Sequence, residues 1–115
     1  MEYPAFSVQS ALNGERFECR FRNLATGISP RHSDTVDVQF LVNGEPAVVA
    51  LSLAAFAEYR ALTGEALTDP EVMHIAAICL EDALEKEGLS EDRMVVPSHA
   101  RTMELAEKIH SLVKS

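Results

Sequence analysis

The chain is short of the residues that mark special classes. Five glycines and five prolines in 115 residues are too few for a collagen-like or low-complexity chain. The two cysteines, Cys19 and Cys79, are far apart and lack metal-type spacing. Both fall on apolar faces of their segments, as reduced buried thiols of a cytoplasmic protein do. No stretch approaches the ~20 apolar residues that a membrane-spanning helix needs. The opening residues, Met1 to Ser7, hold no basic residue and no long apolar run, so they do not read as a secretory signal. A cytoplasmic setting is the expectation.

Basic residues are also scarce. Ten Lys and Arg face eighteen Asp and Glu, a formal net charge of −8. Residues 1–51 carry four basic and six acidic side chains, and residues 52–115 carry six and twelve. Nucleic-acid affinity rests on cations that neutralise phosphates, and no Lys/Arg run is present. Binding to nucleic acid or to an anionic membrane is therefore disfavoured, and the charge serves solubility. No glycine-rich phosphate cradle and no Gly-x-Ser-x-Gly elbow occurs.

What is present is enough apolar material, 47% of residues, for a core without disulfide or metal; a chain of this size buries roughly two-thirds of its extended surface. Residues 1–115 read as a single α+β domain.

The clearest local signal is a tetrapeptide that occurs almost twice, Leu12-Asn13-Gly14-Glu15 and Val42-Asn43-Gly44-Glu45. Asn and Gly both tolerate the positive φ of a type I′ turn, the tightest hairpin connection. Folding the first segment about Asn13-Gly14 pairs Leu12 with Glu15, Ser10 with Phe17, Val8 with Cys19 and Phe6 with Phe21 on a mostly apolar face. The opposite face takes Ala11 with Arg16, Gln9 with Glu18 and Ser7 with Arg20. Folding the second about Asn43-Gly44 pairs Phe40 with Ala47, Val38 with Val49 and Val36 with Leu51. Its other face pairs Leu41 with Pro46, Gln39 with Val48 and Asp37 with Ala50. Such segregation is what a half-buried sheet requires. Pro46 offers no N–H, and its nitrogen points away from the hairpin partner, so the strand 46–51 is expected at the sheet's margin. The expected sheet is a four-stranded antiparallel meander.

After Leu51 the period changes. Ser52 can cap a helix from Leu53 to about Leu62, ended by Thr63-Gly64. Its alanines and few charges suggest packing on several sides. Thr68-Asp69-Pro70-Glu71 combines a capping box with a first-turn proline and opens a helix to about Glu87. Val72, Ile75, Ala76, Cys79, Leu80 and Ala83 form its apolar stripe; Glu71, His74, Glu81 and Glu85 lie opposite, with Ile78 an isolated exposed spot among them. Met94-Val95-Val96 is a short strand or apolar connector. Pro97-Ser98 opens a last helix through about Val113, with Leu105, Ala106, Ile109, Leu112 and Val113 inward. The fold class expected is α+β: the meander with three helices, at least two covering one face.

Four constellations carry potential chemistry. Glu71-Val72-Met73-His74 and Glu107-Lys108-Ile109-His110 share the Glu-x-x-His spacing of di-iron proteins. That chemistry needs ligands from four helices, and only three are present, so no metal and no cofactor are expected. The connection 23–34 is long and holds Arg31, His32 and Asp34. His could act as base, Asp could orient it and Arg could grip an anion. With His99 at the last helix these form the residues of an alternative reading, a small enzyme or ligand-binding protein. Arg16, Arg20 and Arg22 alternate on the outer face of strand 2, where they could bind a phosphate or an acidic partner; the favoured expectation is that cross-strand pairing, with Asp37 on strand 3 and with the diagonal neighbours of Glu18, absorbs them. Finally, Leu41, Pro46, Val48 and Ala50 form an apolar patch on the face away from the first two helices. A strand apolar on both faces is buried on both or adhesive. The leading expectation is a non-catalytic interaction module, a homodimer or a binder of another protein, associating through the apolar edge strand 46–51.

Overall fold

A computed structural model describes residues 5–27, 35–89 and 91–114, without the side chains of 24–27 and 110–114. Eight elements follow in chain order: β1 (Ala5–Gln9), β2 (Arg16–Gly27), β3 (Thr35–Val42), β4 (Glu45–Ser52), α1 (Leu53–Thr63), α2 (Asp69–Lys86), β5 (Met94–Val95) and α3 (His99–Lys114). The class is α+β, with a mixed five-stranded sheet ordered β1-β2-β3-β4-β5. The first four strands are the antiparallel meander. The fifth pairs parallel to β4, Val48 opposite Met94 and Val49 opposite Val95. This corrects the expected four-strand sheet and its margin, because β4 lies inside and β5 takes the outer position.

Pro46 sits just beyond the reach of β5. The ladder between the two strands starts at Val48, whose N–H donates to the Arg93 carbonyl at 3.0 Å. No N–H is asked of residue 46, so a proline is accommodated without an open edge. Arg93 itself has φ 52° and turns its guanidinium back onto the hairpin. Its Nε donates to the Pro46 carbonyl at 2.7 Å, and Nη2 donates to the carbonyls of Val42 at 3.0 Å and Glu45 at 3.1 Å.

The second hairpin has the register its sequence pattern implies, Val42 opposite Glu45 through Val36 opposite Leu51. Asn43 and Gly44 both have positive φ, 52° and 81°, as a type I′ turn requires. The first hairpin does not. Val8 faces Phe17 and Phe6 faces Cys19, a slip of two residues that keeps every side chain on its expected face. Only Gly14 of its turn has positive φ. The loop closes between Ser10 and Glu15, and the Ala11 N–H is spent on the Glu85 carbonyl of α2 at 2.8 Å. That tertiary bond favours the wider loop. Leu12, expected inward, is 68% exposed.

β2 runs on through Gly27, with a bulge between Phe21 and Asn23. Residues 23–27, expected in the long connection, therefore belong to the sheet. Arg31, His32 and Asp34 lie outside the described residues.

The helices begin where their capping residues stand. The Ser52 hydroxyl accepts the Ala55 N–H, and Gly64 ends α1 at φ 77°. Thr68 and Glu71 form the reciprocal capping box of α2. Ser98 Oγ accepts the Arg101 N–H at 3.1 Å at the start of α3. One apolar cluster joins Val8, Phe17, Phe21, Val38, Phe40 and Val49 of the sheet to Tyr59 of α1, Ile75 and Leu80 of α2, and Leu105, Ala106 and Ile109 of α3. All three helices thus cover the same face. Two helix expectations change. α1 buries only Ala55 and Tyr59 and exposes Leu62, so it is packed on one side; Ala54, Ala57 and Ala61 are exposed and serve helix propensity rather than burial. Ile78 is half-buried against the core rather than an exposed spot.

Candidate functional site

The face of the sheet turned away from the helices changes character from one side to the other. Register places Arg20, Leu41 and Pro46 in one row across β2, β3 and β4, with Gln39 and Val48 in the next and Asp37 and Ala50 beyond. Met94 extends the second row, since residues opposed in a parallel pair share a face. Leu41 and Val48 are half-buried, and Pro46 is exposed. Met94 is 37% exposed and Ala50 4%. Ala50 therefore contributes shape more than accessible area. Of these residues, only Met94 was not anticipated; its place became visible only with the parallel pairing of β5. Leu41, Pro46, Val48 and Met94 are not members of the apolar core cluster.

Toward β1 the same face is polar and its charges are partly engaged. Arg16 Nε lies 2.7 Å from Glu18 Oε1. The Ser7 hydroxyl donates to Glu18 Oε2 at 2.7 Å. That bond, assisted by the Arg16 charge, holds the Glu18 carboxyl below the usual carboxylate range. The expected partner of the arginine strip, Asp37, instead accepts from the Thr35 hydroxyl at 2.8 Å. The pairing that absorbs Arg16 thus comes from two residues along its own strand.

The residues of the alternative reading are placed only in part. His99 stands at the start of α3, where its imidazole Nε2 meets Glu58 Oε2 of α1. This contact ties α1 to α3. Nothing described brings His99 to Arg31, His32 or Asp34, which lie outside the described residues. Of the two Glu-x-x-His pairs, Glu71 is held in its capping box, and His74 is exposed. Among the described residues no group of three or more His, Cys, Asp or Glu side chains is placed to hold a metal ion. Cys19 and Cys79 are free thiols in the core. Burial pushes each from 9.0 up to about 11, with Glu18 and Glu81 adding to the rise at Cys19. Neither is activated as a nucleophile.

A separate cleft of about 430 Å³ opens on the helical side, between α1 and the start of α2. α1 lines it with Leu53, Phe56, Ala57 and Arg60, α2 with Asp69 and Val72, the connection between them with Leu67, and β3 with Val36. The spacing of the α1 residues, i, i+3, i+4 and i+7, was readable in the sequence as a single helix stripe. What the sequence did not reveal was that this stripe faces a gap.

Among the described residues, no helix is long and apolar enough to cross a membrane. No protein-family model, no curated protein and no solved structure matches the chain.

Proposed function

We propose that this chain is a non-catalytic, cytoplasmic interaction module that pairs with a second copy through the outer face of β3, β4 and β5. One observation carries the reading. Leu105, Ala106 and Ile109 of α3 join the core on the same side as α1 and α2, so among the described residues the last helix turns its apolar side away from Leu41, Pro46 and Val48. The apolar outer surface of β4 needs another cover, and a second copy supplies an identical surface. A two-fold axis would lay sheet on sheet at the ordinary spacing of about 10 Å. The arrangement of an apolar centre flanked by Arg20, Gln39 and Asp37 matches the core-and-rim anatomy of protein interfaces. The reading rests on this face and no longer on the strand edge, because β5 pairs with β4 there at Val48 and Val49.

Sedimentation equilibrium at micromolar concentration tests it, with Val48→Glu as the diagnostic variant. Val48 lies outside the core cluster, so the variant should retain the native circular dichroism and cooperative unfolding. The expected result is a dimeric parent and a monomeric, folded variant. A parent that stays monomeric throughout the micromolar range overturns the proposal, as does a folded variant that still dimerises.

A further inference from the structure

We infer that the cleft between α1 and α2 binds a small amphipathic monocarboxylic acid, with its hydrocarbon or aryl body between the helices and its carboxylate at Arg60. The volume, about 430 Å³, falls in the range of small-molecule sites, which are concave and mostly apolar with few placed polar groups. The body of such a ligand would lie along Leu53, Phe56 and Ala57 and against Leu67 and Val72. Leu53, Phe56 and Leu67 are half-buried beside the core, so their inner sides are fixed while their outer sides line the gap.

The polar group is specified by charge. Arg60 belongs to the last turn of α1 and makes no ion pair with a described carboxylate. A guanidinium can donate two parallel N–H bonds to the two oxygens of a carboxylate. Asp69 lines the same cleft, but its charge sits in the first turn of α2, where the helix dipole favours it. Its carboxylate adds a negative charge to the cleft's own lining. One anionic end is therefore accommodated and a second is repelled. This site lies on the helical side, opposite the outer sheet face, and does not depend on the self-association reading.

The test is a titration of the isotope-labelled full chain followed by amide chemical shifts. The probes are octanoate, 1-octanol and octylamine, each below its micelle-forming concentration. Octanoate should give saturable shifts confined to residues 53–60 and 67–72, with 1-octanol weaker and octylamine weakest. Arg60→Gln should weaken octanoate about tenfold, the loss of a solvent-exposed bidentate ion pair. Ala57→Trp should abolish binding by filling the cleft. Both positions are exposed, and unchanged spectra elsewhere will verify the fold. No saturable shift up to millimolar octanoate would overturn the inference. So would octylamine binding as well as octanoate, or full affinity in Arg60→Gln.

Discussion

Replacing Arg93 with alanine removes the guanidinium that fastens the turn end of the second hairpin. Three backbone carbonyls lose a charged donor, at 2.7, 3.0 and 3.1 Å. Hydrogen bonds to charged groups contribute roughly 1.5–3 kcal/mol each when buried. The Arg93 side chain is 31% exposed, so water replaces part of what is lost, and the three together should be worth about 2 kcal/mol. Its contact with Glu45, at 3.5 Å and with Glu45 72% exposed, adds little. For a chain of this length, about 2 kcal/mol lowers Tm by roughly 8 °C. A second variant isolates the backbone. Arginine and alanine both sit uncomfortably at φ 52°, whereas glycine does not, so Arg93→Gly should be about 1 kcal/mol more stable than Arg93→Ala. Urea unfolding followed by circular dichroism, with an unchanged m-value, measures both differences. An Arg93→Ala protein within about 0.5 kcal/mol of the parent would refute the assigned role, since scatter at ordinary surface sites is of that size. A glycine variant no more stable than the alanine variant would refute the strain.

Two more outcomes follow from local geometry. Gly44→Ala should cost about 1 kcal/mol in the same urea assay, because φ there is 81° while a new Cβ meets no atom within 4 Å; the penalty is backbone conformation alone. The buried thiols make stability depend on alkaline pH. Both rise from 9.0 to about 11 in the fold, so between those values the unfolded chain has lost protons that the folded chain keeps. Stability should be fully present below pH 9 and fall as pH climbs toward 11, and Cys19→Ala with Cys79→Ala should flatten that part of the urea-midpoint profile.

Much of this fold is written in short-range pattern. The alternation of Val36, Val38 and Phe40 fixes which face is buried, and the Ser52 and Thr68 caps fix where helices begin. The nearly repeated tetrapeptide shows where such reading fails. Around Asn43 the turn is held by β2, whose Glu18 exchanges bonds with it: the Asn43 N–H donates to the Glu18 carbonyl at 2.8 Å, and Asn43 Oδ1 accepts the Glu18 N–H at 2.9 Å. Around Asn13 the neighbour is α2, and the bond from Ala11 to Glu85 favours a wider loop. Local propensity was the same in both; the surroundings differed. A short strand at Met94-Val95 is one reading of that segment, but its parallel pairing with β4 is not legible, for a similar reason. Two residues carry no periodicity, and their partner lies far back in the chain. The apolar patch on the outer face could be read from Leu41, Pro46, Val48 and Ala50, but its extension at Met94 and the cleft at Arg60 could not. Both depend on how separate elements meet.

The clasp at Arg93 also bears on how the chain is made. Hairpins between neighbouring strands form through near contacts and therefore early. The donors that complete the flank of β4 come from a residue 47 to 51 positions later than the carbonyls they satisfy. During synthesis, β1 to β4 can assemble while that flank still waits for its seal. Pro46, near the head of the waiting strand, offers no N–H to a passing polypeptide, which leaves the Val48 N–H as the donor that residue 93 must satisfy.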